Sequence, residues 1–207
     1  MTAWKEFSEW LNEMRSLGLY MTPCYPFILL QQPGEAGRCA SEILLDLNSN
    51  VEDAVAAAAE SIRYWSHLAT NGRIPAIDPR LIDNFVQRIA LRRAERVEYC
   101  LSIFVHLLDE KPELFTSEQI MLLVSSLDPW SQSTVLTTTP ISPDGFPPAK
   151  RPTLRSRLGG LAGALKRWLV KMVPTVSIPE QLVSWELSCS KDPLPEVRRS
   201  FNDWDSI

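Results

Sequence analysis

The chain has 207 residues, 45% of them apolar, enough for one large domain or two small ones with a real core. Eight glycines are few and sixteen prolines are many, and the prolines sit between apolar-periodic runs, a pattern of helices and not of an all-β fold. The formal charge is −4, but residues 1–60 hold three basic and nine acidic side chains, whereas residues 145–179 hold seven basic and no acidic ones. That polarity invites an electrostatic partner. No apolar run approaches the roughly 18 residues of a membrane span. Met1-Thr2-Ala3-Trp4-Lys5-Glu6 carries charge where a signal peptide would be apolar, so a cytoplasmic location is expected.

Trp4, Phe7, Leu11, Met14 and Leu17 recur at spacings of three and four, which predicts a helix over 2–17 with Gly18 as its stop. Residues 20–30 carry two prolines and read as a loop with a short strand at Phe27–Leu30. Pro33-Gly34 reads as a turn.

A strong helix is expected over 49–70. Ser49 or Asn50 can cap it, Glu52 and Asp53 suit the positive end of the helix dipole, and five alanines lie between Ala54 and Ala59. Asn71-Gly72 ends it. Asp78-Pro79 then opens one long helix, or two joined by a tight turn, as far as residue 109. Lys111-Pro112 closes that segment. Thr116 and Gln119 have the spacing of a capping box and open a helix over about 117–127, which Asp128-Pro129 should stop.

Ser, Thr and Pro dominate residues 130–153, as in a loop or linker. An amphipathic basic helix follows over 154–173, with Leu154, Leu158, Leu161, Leu165, Trp168, Leu169 and Met172 on one face. Pro179 and Pro195 start two more helices, over about 179–189 and 195–204. The expected organisation is an N-terminal helical region over 1–129, a linker over 130–153 and C-terminal helical hairpins over 154–207. These three can also form one continuous domain.

The stretch from Ser190 to Phe201 resembles the turn and second helix of a HEAT repeat. Asp192, Val197 and Arg198 match the turn Asp, the core-facing Val and the Arg of that family. The resemblance implies a polar ladder of Arg and Asp between successive repeats. The expected fold is therefore all-α, either an irregular helical bundle or a short HEAT-like α-solenoid.

Chemistry is sparse. Cys24, Cys39, Cys100 and Cys189 are scattered without a CxxC or paired histidines, so no metal site is expected. His67 and His106 are each read as a ring packed among apolar neighbours. The rival reading is a cysteine hydrolase pairing Cys24 or Cys39 with His67. The two-glycine run at Gln32–Gly37 lacks the lysine of a phosphate loop. No cofactor and no catalysis are expected.

Two basic features could meet a partner. Arg88, Arg92 and Arg96 are spaced to share one helix face. Lys150, Arg151, Arg155, Arg157, Lys166, Arg167 and Lys171 accompany Trp168 in the basic segment. Seven tryptophans add to the case for an interface, since Trp and Arg anchor protein contacts. Sequence alone thus suggests an accessory subunit that binds a larger protein. The alternative is a nucleic-acid-binding module using residues 145–179, and membrane binding is the least favoured. Loosely similar helical tails accompany ATPase and NAD-consuming proteins of bacterial antiviral defence, and that resemblance implies such an assembly as the setting.

Overall fold

A computed structural model describes residues 3–20, 24–91, 97–132, 154–175, 177–180 and 182–183; at 3, 24, 97–99, 128–132 and 154–158 it describes the backbone alone. Among the described residues there are eight α-helices and no strand. They are α1 (Ala3–Ser16), α2 (Cys24–Gln31), α3 (Ala36–Leu47), α4 (Glu52–Thr70), α5 (Pro79–Ala90), α6 (Val97–Glu110), α7 (Ser117–Gln132) and α8 (Leu154–Met172). The fold is all-α.

The sequence marks several boundaries correctly. Gly18 and Gly72 stop α1 and α4 with φ of 71° and 66°, left-handed values that a residue with a Cβ rarely adopts. Asp78 accepts the Arg80 amide at 2.9 Å and Pro79 fills the first position of α5. At α7 the Thr116 amide donates to Gln119 Oε1 at 2.8 Å and the Gln119 amide donates to Thr116 Oγ1 at 3.3 Å, a reciprocal capping box.

Four expectations are corrected. The loop and strand expected over 20–30 give way to α2. Its Pro26 lies in the first turn, where backbone N–H groups have no intrahelical acceptor, so the ring removes no hydrogen bond. The turn read at Pro33-Gly34 is a 3₁₀ turn, Pro33–Glu35, that runs straight into α3, to which the sequence reading assigned no element. Ser49 does not cap α4 directly: the N-cap is Val51, whose amide donates to Ser49 Oγ at 3.0 Å. Asp128-Pro129 does not stop α7, which runs on to Gln132. A proline that close to the end interrupts one bond, and buried Leu123, Val124 and Leu127 fix the helix in place.

Each helix from α2 to α8 packs against its second neighbour. α3, α5 and α7 form one layer; α2, α4, α6 and α8 form the other, and α3 also lies tightly on α4. On α4 the small side chains of Ala54, Ala58 and Ala59, all at 0% exposure, face the protein interior and let neighbouring residues approach closely. Between the layers Trp65 is fully buried, and Phe104 meets Phe85 and Phe115 edge-on at centroid distances of 5.9 and 5.0 Å. Buried Leu161, Leu165, Trp168 and Leu169 of α8 belong to the same core. Leu182 joins them, its amide donating to the Pro179 carbonyl at 3.0 Å. Of the linker expected at 130–153, residues 130–132 belong instead to α7; residues 133–153, the rest of the helices expected over 179–189 and 195–204, and the HEAT-like stretch 190–201 lie outside the described residues.

Gly160 sits inside α8 with nothing within 4 Å of where a Cβ would stand. Glycine in a helix interior is destabilising by about 0.8–1 kcal/mol relative to alanine. Gly160→Ala is therefore expected to stabilise the isolated chain by that amount, read as a higher urea midpoint at unchanged slope.

Candidate interaction surface

Of the three arginines expected on one helix face, Arg88 lies on α5, which ends at Ala90 with Leu91 as its C-cap; α6 begins at Val97. Arg88 is only 8% exposed and its Nη2 donates to the Ser49 carbonyl at 2.6 Å, tying α5 to the α3–α4 connection. It is thus a core residue and not the surface contact expected. Arg92, Arg96, Lys150 and Arg151 lie outside the described residues, as do the side chains of Arg155 and Arg157.

Along α8 the apolar face belongs to the chain's own interior. Trp168 is 4% exposed and its Nε1 donates to the Pro112 carbonyl at 2.8 Å, so it anchors α8 to the turn after α6. One turn face away, exposed Arg167 grips Asp109 of α6 with Nη2 to Oδ2 at 2.7 Å and Nε to Oδ1 at 3.2 Å. Lys166 is half-buried. Lys171 is exposed, next to exposed Val170 and Met172. Met172 thus departs from the buried face on which its spacing placed it. On α7, Met121 and Leu122 are also exposed. With Val183, these are the large apolar residues exposed beyond α6 among the described residues.

The candidate nucleophile and base residues are placed as follows. Cys39 is 0% exposed on α3, and His67 lies on the exposed side of α4. His106 is also exposed, its Nε2 3.0 Å from Glu110 Oε2 one turn along α6. Neither ring is packed in the core as the sequence reading expected, because both point outward from helices whose buried faces carry Trp65 and Phe104. The side chain of Cys24 and all of Cys189 lie outside the described residues. Among the described residues no group of three or more metal-ligating side chains gathers.

Burial pushes the Cys100 thiol up to about 11, against a smaller opposing pull from the Arg88 charge. A thiol so raised is inert at neutral pH, because the thiolate is the nucleophile. Native protein treated with iodoacetamide at pH 8 should therefore carry no label on Cys39 or Cys100, and both should label once urea unfolds it. Mass spectrometry of the peptides reads the result. Because the folded-state value lies above the ordinary one, the thiol contributes stability that is fully present below the ordinary thiol pKa. That contribution is lost as pH rises through about 11.

One polar cluster was missed by sequence reading. Arg15 of α1 reaches across to α3, where Nε donates to Asp46 Oδ1 at 2.9 Å and Nη1 to Glu42 Oε2 at 2.6 Å. Nη2 donates to the Tyr25 hydroxyl of α2 at 3.2 Å, and that hydroxyl donates to Asp46 Oδ2 at 3.0 Å. Burial, the largest influence on Asp46, lifts its carboxyl above the ordinary value despite the bonds from Arg15. On Arg15 burial pulls the other way, but the bonds to Asp46 and Glu42 outweigh it and hold the guanidinium charged. Partners separated by 31 and 27 positions leave no local signal.

No family model, no curated protein and no solved structure matches this chain.

Proposed function

We propose that the chain is a non-catalytic interaction subunit of a larger assembly, built as a short HEAT-like stack of helical hairpins. The observation that carries this reading is the packing of every helix from α2 to α8 against its second neighbour, in two layers. Stacks of that kind hold an extended surface in place and need no pocket, since each hairpin contacts only its neighbours. Exposed Met121, Leu122, Val170 and Met172 supply apolar contact area on the last two described helices. The setting offered by the resemblance of such helical tails is a bacterial antiviral-defence assembly.

A second reading is favoured by one observation: the seven cations and no acidic residue between 145 and 179. In that reading the segment binds nucleic acid, and affinity falls steeply with salt as condensed counterions are released.

Purification of the tagged chain from cells that naturally carry it separates the two. A protein partner should persist at high salt and after nuclease treatment, and should be lost when Met121 and Leu122 are both changed to Asp with the circular dichroism unchanged. Material that co-purifies only at low salt and disappears with nuclease would replace the first reading with the second.

A further inference from the structure

α1 is held to the rest of the molecule by few side chains. Of its described residues Leu11 is buried, while Trp4 and Phe7 pack partly against the core. Phe7 meets the Tyr25 ring edge-on at 5.9 Å, and the Arg38 guanidinium lies 5.8 Å from the Trp4 ring. The polar attachment comes from Arg15. By contrast α4 alone buries nine residues. Elements with few buried contacts open locally, at free energies well below that of global unfolding.

The socket that receives Arg15 is built by α2 and α3 without α1. It offers the Asp46 carboxylate, the Glu42 carboxylate and carbonyl, and the Tyr25 hydroxyl, with the Glu42 carbonyl 3.3 Å from Nη2. Three different nitrogens of one planar group are engaged, which suits a guanidinium and not an ammonium. Once emptied, the socket would hold the Asp46 and Glu42 carboxylates without their cation, an arrangement that favours refilling by another cation.

We propose that α1 is a releasable strap: it comes away from α2 and α3 as a unit while the layers from α2 to α8 stay folded, and the socket of Tyr25, Glu42 and Asp46 then accepts an arginine-bearing amphipathic helix from a protein partner. The second half rests on the reading of the chain as an interaction subunit. In the free chain α1 is its own ligand, with Leu11 and Arg15 one turn apart as the two features a competing helix has to reproduce.

Two measurements on the full chain test this without any partner. In hydrogen exchange read by mass spectrometry, α1 amides should exchange about a hundredfold faster than those of α4 and α6. Arg15→Gln should speed α1 by about tenfold more and leave α4 and α6 unchanged. Equal protection of α1 and α4 in the unaltered chain, or loss of protection throughout in Arg15→Gln, would overturn the strap. The second measurement uses a fluorescent peptide with the sequence of residues 3–19, added to the Arg15→Gln chain. It should bind, and the same peptide with its arginine changed to glutamine should not. Equal binding by both peptides, or by neither, would overturn the socket. A chain that passes both tests yet captures no protein from its own cells leaves the strap standing and counts only against the interaction-subunit reading.

Discussion

Trp65→Ala is expected to destabilise the protein by about 3–5 kcal/mol, the range for removing a large aromatic side chain from a packed interior. Trp65 is at 0% exposure on α4, and its Nε1 donates to the Pro75 carbonyl at 2.9 Å. The alanine would leave a cavity where α4 meets the connection to α5 and would leave that carbonyl without its donor. Trp65→Phe separates the two losses. Most of the ring volume stays, so the residual cost should be about 1–3 kcal/mol, typical of an unsatisfied buried polar group. Urea denaturation followed by circular dichroism measures both. Equal losses for the two variants would mean that the cavity hardly matters, contrary to the packing described.

Trp168→Ala should be nearly as severe, about 3–5 kcal/mol. Its ring is buried between α8 and the turn at Pro112–Leu114. The expected result bears directly on how the basic segment works. A partner-anchoring tryptophan would be exposed in the free protein, and its loss would spare the melting curve while weakening binding. Trp168 should instead lower the denaturation midpoint. By contrast Lys171→Ala, at an exposed position, should leave stability within about 0.5 kcal/mol of the original. A Trp168→Ala chain with an unchanged midpoint would show that α8 is not part of the core.

Helices announced by local chemistry were readable from the sequence. Asp78-Pro79, Thr116 with Gln119, the alanine run and Gly72 each act within a few residues, and each is found where the spacing put it. What escaped is what depends on distant neighbours. α2 is short and has Tyr25, Pro26 and Leu29 buried with Ile28 and Leu30 partly so, which leaves no clean stripe to count. α3 was hidden by Gly34 and Gly37, although Cys39, Ala40, Ile43 and Leu47 are buried at helical spacing and could have revealed it. Arg88 was grouped with Arg92 and Arg96 because a helix was assumed to continue past Ala90, where it stops. Leu161, Leu165, Trp168 and Leu169 of the face read on α8 are buried and Met172 is not, but periodicity says only that a face is covered, not whether its own chain or another molecule covers it. The Arg15 socket had no local trace at all.

The second-neighbour packing also sets an order of assembly while the chain is being made. The contacts of α2 with α4, α3 with α5, α4 with α6 and α5 with α7 all close soon after each helix emerges, because little chain separates the partners. The contact of α6 with α8 is different, since the whole stretch from 111 to 153 lies between them. A nascent chain that has reached Gln132 therefore carries α6 with the side meant for α8 still bare. Leu161, Leu165 and Trp168 are not yet there to cover it. Synthesis thus passes through an interval in which one apolar surface waits for a helix still inside the ribosome.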